Sequence, residues 1–322
     1  MIIGMGKTAF IYPGQGAQYI GMGKDIAEKY PSADRVYKDA SESLGFDIEE
    51  LIFRGEEDRL VITENTQPAL LTTCIASTQP LIENGIRADM SAGLSVGEYS
   101  AHVLANTITF KDAVRVVKMR GKYMQEEVPA GVGGMAAILG LDNHLVEEVC
   151  ERVTKENKGL IVEPVNYNCP GQLVIAGDKK AVELACEVCK VIGAKRAVIL
   201  AVSAPFHSSL LRGAGVKLEK ELAGVMFNEM EIPVVSNVSA RIIGIGEFVR
   251  KTLVDQVFNP VMWEQSVRAM IGTGVDTFVE IGPGKTLSGF VKKIDPGVTV
   301  LNVNNLESLE STLDYFKSTQ LN

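Results

Sequence analysis

The chain predicts an α/β fold: a mainly parallel β-sheet covered by helices on both faces and interrupted by a smaller α+β unit. Three observations carry this. Short apolar runs alternate with amphipathic stretches over most of the 322 residues, the order from which parallel sheets are built. A glycine-rich break, Pro129-Ala130-Gly131-Val132-Gly133-Gly134, opens a segment of different rhythm. Finally, Gly93-Leu94-Ser95-Val96-Gly97 sets a serine between two glycines where a strand turns into a helix, the spacing of a nucleophile elbow.

The elements follow in order. Thr8 to Tyr12 is a buried strand ended by the loop Pro13-Gly14-Gln15-Gly16-Ala17-Gln18. Helical patterns run from Lys24 to Leu44 and from Thr66 to Gly85; the second carries Leu70, Leu71, Cys74, Ile75, Thr78, Leu81 and Ile82 at helical spacing and should lie deep. A weak strand near Met90 leads into the serine turn, and Phe110 to Val128 is an amphipathic helix holding Arg120. Beyond the break, Met135 to Leu139 reads as a strand, Asp142 to Lys155 as a helix, and Leu160 to Tyr167 and Gln172 to Ala176 as paired strands. Lys179 to Ile192 is a helix and Ala197 to Val202 a strand. That order, strand-helix-strand-strand-helix-strand, is the ferredoxin-like pattern. The expected division is therefore a hydrolase-like parallel-sheet domain made of 1–131 and 204–322, with 132–203 inserted. The alternation resumes with a strand at Pro233 to Ser236, helices at Gly246 to Val257 and Met262 to Ile271, and a strand at Thr277 to Ile281. A helix from Thr286 to Ile294 and a last strand, Val298 to Val303, close the series.

Composition narrows the function. The chain is 46% hydrophobic and 22% charged, with a mean hydropathy of +0.12, so it folds around a sizeable core. A net charge of −8 and a pI near 5.2 argue against a nucleic-acid surface. There is no run of some 18 apolar residues to span a membrane. No signal peptide is expected from the first residues, because Pro13 and Gly14 arrive before an apolar stretch is complete. Five cysteines in a chain of this length do not suggest a disulfide framework. A cytoplasmic protein is expected.

A serine nucleophile needs a base, and only His102, His144 and His207 are offered. His102 lies seven residues beyond Ser95 on the same helix, roughly 10 Å along its axis and out of direct reach; a half-buried helix position suits it better. His144 opens a helix of the inserted unit, where solvation is expected. His207, in Val202-Ser203-Ala204-Pro205-Phe206-His207-Ser208, enters the mouth between the two units and is the base if there is one. No acidic residue claims the third position of a triad. Asp255 is possible, and a backbone carbonyl would serve equally well. Other motifs fail on context. Gly4-Met5-Gly6-Lys7-Thr8 and Gly282-Pro283-Gly284-Lys285-Thr286 lack the upstream glycine of a P-loop, and Tyr19 occupies the third glycine position of a dinucleotide fingerprint. Cys186-Glu187-Val188-Cys189 falls within a helix and has no partner pair for zinc. No metal or cofactor is expected.

Taken together, these pieces closely resemble the malonyl-CoA:acyl carrier protein transacylases of bacterial fatty acid synthesis. The likeness runs nearly end to end. It rests on Pro13-Gly14-Gln15-Gly16-Ala17-Gln18, the Ser95 turn, Met119-Arg120-Gly121 and Val132-Gly133-Gly134-Met135-Ala136-Ala137-Ile138-Leu139-Gly140. It continues through Asn166-Tyr167-Asn168-Cys169-Pro170-Gly171-Gln172, Pro205-Phe206-His207-Ser208, Asn259-Pro260-Val261 and Glu280-Ile281-Gly282-Pro283-Gly284-Lys285.

The resemblance implies that Ser95, activated by His207, takes the malonyl group from malonyl-CoA and passes it to the phosphopantetheine thiol of acyl carrier protein. It implies further that the main-chain carbonyl of Gln256 orients His207, and that the N–H groups of Gln15 and Val96 hold the oxyanion. Arg120 would pair with the malonyl carboxylate, for which a planar guanidinium offers a two-pronged match. Phe206 and Asn166 would line the acyl pocket, and Lys195 and Arg196 would lie near the CoA phosphates. A monomer is expected. Two positions depart from the family: Leu94 stands where histidine is frequent, and Met262 replaces a polar residue before Trp263. Three rival readings differ in outcome. A polyketide-synthase acyltransferase would serve another carrier protein, a serine thioesterase would release free malonate, and a carrier-binding scaffold would never acylate Ser95.

Overall fold

The structure, a computed structural model, describes residues 6–129, 131–202, 204–243 and 246–320. The start of the N-terminal segment, Met1 to Met5, and the boundary residues Ala130 and Ser203 lie outside the described residues, as do part of the first P-loop-like motif and of the break. The elements run β1 (Lys7–Tyr12), α1 (Lys24–Lys29), α2 (Pro31–Leu44), α3 (Ile48–Arg54), α4 (Glu57–Leu60), α5 (Thr63–Glu83), β2 (Met90–Gly93), α6 (Gly97–Leu104) and α7 (Phe110–Glu127). Then come β3 (Gly133–Leu139), α8 (Asn143–Glu156), β4 (Val162–Cys169), β5 (Gln172–Asp178), α9 (Lys179–Val191) and β6 (Arg196–Ile199). The last third holds α10 (Arg212–Ala223), β7 (Val234–Val235), β8 (Ile242–Ile243), α11 (Gly246–Asp255), α12 (Trp263–Gly272), β9 (Val275–Ile281), α13 (Thr286–Ile294), β10 (Thr299–Val303) and α14 (Leu306–Gln320).

Two sheets organise these elements. The larger has the order β10-β9-β1-β2-β7-β8 and is parallel except for the β7–β8 pair. Its central strand β1 is buried from Thr8 to Tyr12, as a strand covered on both faces must be. The chain pairs β1 with β2 on one side and β9 on the other. The ends of these three strands therefore share one rim, the edge on which parallel sheets place their sites. The smaller sheet is antiparallel, order β4-β5-β3-β6, the ferredoxin-like arrangement.

Strand alternation gives the smaller sheet its role. Ala136 and Ile138 of β3 and Leu173 and Ile175 of β5 pack against Val146, Val149 and Cys150 of α8 and Val182 and Cys186 of α9. Their neighbours Met135, Ala137 and Val174 point to the opposite face, towards the larger unit. One face is a core, and the other roofs a cavity.

Some elements depart from the sequence expectation. The pattern from Lys24 to Leu44 is two helices, broken where Tyr30 adopts an extended conformation before Pro31, as residues preceding proline tend to. The chain does not close on a strand but on α14, which buries Leu309, Leu313 and Phe316. Helices α3, α4 and α10 and the strand β8 also go beyond the expected elements. His102 is wholly buried rather than half-buried.

Candidate active site

The turn after β2 is built by contact as much as by conformation. A Cβ on Gly93 would come within 2.0 Å of the Gly97 backbone, and one on Gly97 within 2.3 Å of the Tyr12 carbonyl oxygen. Only glycine lets the strand end, the helix start and β1 approach this closely. Ser95 itself is held at φ 56°, the left-handed region that costs a side chain roughly 1–2 kcal/mol. The N–H groups of Gly97 and Glu98 bond back to the Leu94 and Ser95 carbonyls, both at 3.0 Å. Asn237, just beyond β7, clamps the turn from below. Its Oδ1 accepts the Ser95 N–H at 2.7 Å, and its Nδ2 donates to the Gly93 carbonyl at 2.7 Å.

His207 reaches the turn from the loop that returns the chain from the smaller sheet. Glu163 of β4 fixes that loop by accepting the N–H and hydroxyl of Ser209, at 2.7 and 2.8 Å. His207 Nδ1 lies 2.7 Å from the carbonyl oxygen of Gln256, so it must carry the proton; Nε2 is then an acceptor, 2.8 Å from Ser95 Oγ. Burial, and secondarily the nearby Arg120 cation, push the His207 pKa down to about 3, with the Gln256 carbonyl opposing them. The ring is held neutral, with Nε2 free to accept a proton. Asp255 instead pairs with Lys251 one helical turn away, so the histidine is oriented by a main-chain carbonyl.

Arg120 sits on α7, 1% exposed. Gly121 makes its position possible, because a Cβ there would lie 2.5 Å from the Thr63 carbonyl oxygen at the start of α5. The two helices thereby bring Arg120 Nη1 to Gln67 Oε1 at 2.8 Å, while Nη2 donates to Gln256 Oε1 at 2.8 Å and to Ser95 Oγ at 3.2 Å. Its Nε has no partner among the described residues. Burial lowers the guanidinium's pKa. All its partners are neutral, so this cation is held in the interior without direct contact with a carboxylate.

Ser95, His207 and Gln67 close one end of a cavity of about 270 Å³, and Arg120 contacts Ser95 and Gln67 without lining it. Gly14, Gln15, Leu94, Ser95 and His207 line its floor, with Gln67 beside them; Met135, Ala137 and Val174 lie above and Phe290 of α13 at one side. Asn166 and Phe206 are both on its wall. Gln15 anchors its side chain on Thr63 at 3.3 Å, and Gly14 packs against the Leu94 carbonyl, where a Cβ would approach to 2.7 Å. The N–H of Val96 opens α6, where unbonded backbone donors gather. Lys195 and Arg196 are exposed at the start of β6, outside the cavity wall, which the same segment joins at Leu200 and Val202. The structure thus brings Ser95, His207, Gln256, Arg120, Gln15, Val96, Asn166 and Phe206 together and leaves Lys195 and Arg196 on the surface. Sequence reasoning missed Gln67, Asn237, Glu98 and the side chain of Gln256. Nothing local signals them: Gln67, for one, follows the polar run Thr63-Glu64-Asn65-Thr66. No cluster of three metal-ligating side chains exists among the described residues, and none of their helices is long and apolar enough to cross a membrane.

Comparison with known proteins places the chain. Residues 9–306 match the acyl transferase domain family. The malonyl CoA-acyl carrier protein transacylase of Bacillus subtilis (strain 168) is 47% identical over 313 residues, covering 97% of this chain and 98% of that protein. The crystal structure of the malonyl CoA-acyl carrier protein transacylase from Clostridium perfringens superposes with a TM-score of 0.94 at 46% identity, covering 98% of each chain. A malonyl-transacylase solved in complex with its type II PKS acyl-carrier protein is 44% identical, with a TM-score of 0.93 over 96% of this chain and 99% of the other.

Proposed function

The chain belongs to the acyl transferase domain family as a malonyl-CoA:acyl carrier protein transacylase, and from that premise we propose how its residues perform the transfer. Ser95 Oγ attacks the thioester carbonyl of malonyl-CoA while its proton passes to His207 Nε2. The carbonyl π-electrons move onto oxygen, and the N–H groups of Val96 and Gln15 receive the oxyanion. As the tetrahedral intermediate collapses, the C–S bond breaks and the His207 proton goes to the departing thiolate of CoA. The malonyl-Ser95 ester is then attacked by the phosphopantetheine thiol of acyl carrier protein, with the same proton route, and Ser95 is regenerated. The group transferred supplies fatty acid synthesis.

One observation carries the assignment of malonyl as the acyl group: a buried guanidinium with only neutral partners, one of its nitrogens 3.2 Å from the nucleophile. Burying a malonyl carboxylate without a cation would be prohibitive, and Arg120, with no anion in direct contact, has its own burial cost reduced by receiving one. Phe206 and Asn166 shape the pocket around the three-carbon acyl group. Lys195 and Arg196 meet the phosphates of CoA or the carrier arm at the rim. The enzyme works as a monomer in the cytoplasm.

A second carrier is favoured by the 44%-identical transacylase solved with a type II PKS acyl-carrier protein. The test of both is intact mass spectrometry with malonyl-CoA and no acceptor. A malonyl adduct absent from Ser95→Ala, and discharged by holo-carrier protein, is expected; presenting fatty-acid and polyketide carriers separately ranks the two. Steady release of malonate, or no adduct at all, would overturn the mechanism.

A further inference from the structure

Beneath the reactive groups lies a buried carboxylate that the transfer chemistry does not use. Glu98, three residues beyond Ser95 on the first turn of α6, is 0% exposed. Its Oε2 accepts Nε2 of Gln256 at 2.5 Å and the N–H of Asn237 at 3.1 Å. Among the described residues its Oε1 has no hydrogen-bond partner; it lies 3.9 Å from Nε2 of His102, which is equally buried and has no partner among them on either ring nitrogen. The same Gln256 amide accepts from Arg120 through its Oε1. A cation, an amide and an anion thus stand in a row, all inside the protein.

The row has one sensible direction. Turned over, the amide would present its NH₂ to the guanidinium and its oxygen to the carboxylate, two repulsive contacts in a desolvated place. The interposed amide also solves a problem for the empty enzyme. A lone buried guanidinium is very costly, but a direct salt bridge would occupy the donors that an incoming carboxylate needs. Held one amide away, Glu98 offsets the charge of Arg120 and leaves Nη2 facing Ser95 and Nε unpartnered.

We propose that Glu98 is the resident counter-charge of Arg120 and a positioning residue that sets how strongly the site prefers an acyl group bearing a carboxylate. This rests on the reading of Arg120 given under Proposed function. Once a substrate carboxylate is bound, Arg120 serves two anions, and the resident one opposes the newcomer. Selectivity is the difference between these attractions, so Glu98 keeps malonyl from being held too tightly to leave.

Glu98→Gln keeps the size and the hydrogen-bonding acceptor and removes the charge. Single-turnover acylation of Ser95, followed by intact mass with malonyl-CoA and with acetyl-CoA, reads the effect. The malonyl-to-acetyl ratio is expected to rise about tenfold, the order for removing a like charge about 10 Å from the acyl carboxylate, across the amide and the guanidinium, at an effective dielectric constant of about 20. Discharge of the malonyl ester to holo-carrier protein should slow, and Glu98→Asp should keep the wild-type ratio even if both rates fall. Equal changes with both substrates would overturn the proposal and leave Glu98 a purely structural residue. If the wild type forms no malonyl adduct, the parent reading has failed instead. Should Glu98→Gln not fold, the charge coupling is read from stability: Arg120→Met/Glu98→Gln is expected to melt above Arg120→Met, because removing the cation strands the anion. A double variant melting at or below the single one would refute the pairing.

Discussion

The acid limb of the rate profile gives the sharpest test of how the base is tuned. In the proposed transfer His207 must be neutral to take the Ser95 proton. An ordinary histidine, with a pKa near 6.5, would be only about 3% neutral at pH 5, so acylation would fall roughly 25-fold between pH 7 and pH 5. With the pKa pushed down to about 3, the ring stays neutral, and kcat/KM should change by less than about twofold over that range. Acetyl-CoA is the better probe, since its acyl group does not titrate. Stability should behave differently. The folded pKa lies below the unfolded one, so between pH 6.5 and about 3 the unfolded chain binds more protons at this position. Stability is therefore full above pH 6.5 and drains as the pH falls, by up to about 5 kcal/mol from this group. Stopped-flow acylation and urea melts run side by side from pH 7.5 to 4.5 should diverge, with a flat rate and falling stability. The Arg120 cation contributes to the depression, so Arg120→Ala should move the limb towards ordinary histidine values. A half-loss of kcat/KM near pH 6.5 in protein still folded by circular dichroism would refute the reasoning.

Three further outcomes follow from contacts described above. Arg120→Ala should cut malonyl acylation by ~10²- to 10³-fold, the order for stranding a buried charge, and spare acetyl acylation in the same assay; parallel losses would remove Arg120 from the pocket. Ser95→Gly should melt above Ser95→Ala by about 1 kcal/mol, a few degrees, because both lose the hydroxyl but only glycine relieves the positive φ; equal melting temperatures would show that the turn stores no strain. Gly121→Ala, ordinarily a gain of about 1 kcal/mol within a helix, should instead cost about 1–3 kcal/mol in urea melts, since its Cβ would press on the Thr63 carbonyl. A neutral or stabilising result would mean that α5 and α7 have room to separate.

How far the chain could be read in advance depended on what kind of physics held each part. Strands such as Thr8 to Tyr12 declare themselves, because a strand buried on both faces must be apolar throughout. That Ser95 and His207 come together, 2.8 Å apart, was legible because turn spacing and a short list of histidines are local information. Helix α10 was hidden by Gly213 and Gly215, which interrupt its pattern; Gly215 is there because a Cβ would come within 2.6 Å of the Phe258 ring. In α14, Leu309, Leu313 and Phe316 keep helical spacing but are diluted among polar neighbours. The carboxylate of Glu98 and the amides of Gln67, Asn237 and Gln256 look like ordinary polar residues in a string of letters. What buries them is the convergence of α5, α6, α7 and the turns after β7 and α11, which no local pattern reports. His102 was misjudged for the same reason, since its burial is imposed by neighbours distant in sequence.

The inserted sheet also affects the order in which the site can come together. Ser95 and His207 meet across 112 positions of chain. The first and last strands of the insert lie side by side, joined where the Leu200 N–H meets the Met135 carbonyl at 2.9 Å. Once they have paired, the route from serine to histidine is less than half as long. Because closure entropy grows only logarithmically, that shortcut is worth under about 1 kcal/mol. Its effect is therefore on sequence in time: long-range contacts form late, and this one waits for a whole subdomain. The first reactive serine to appear during refolding would thus mark the completion of both units, making the enzyme's own chemistry a clock for its assembly.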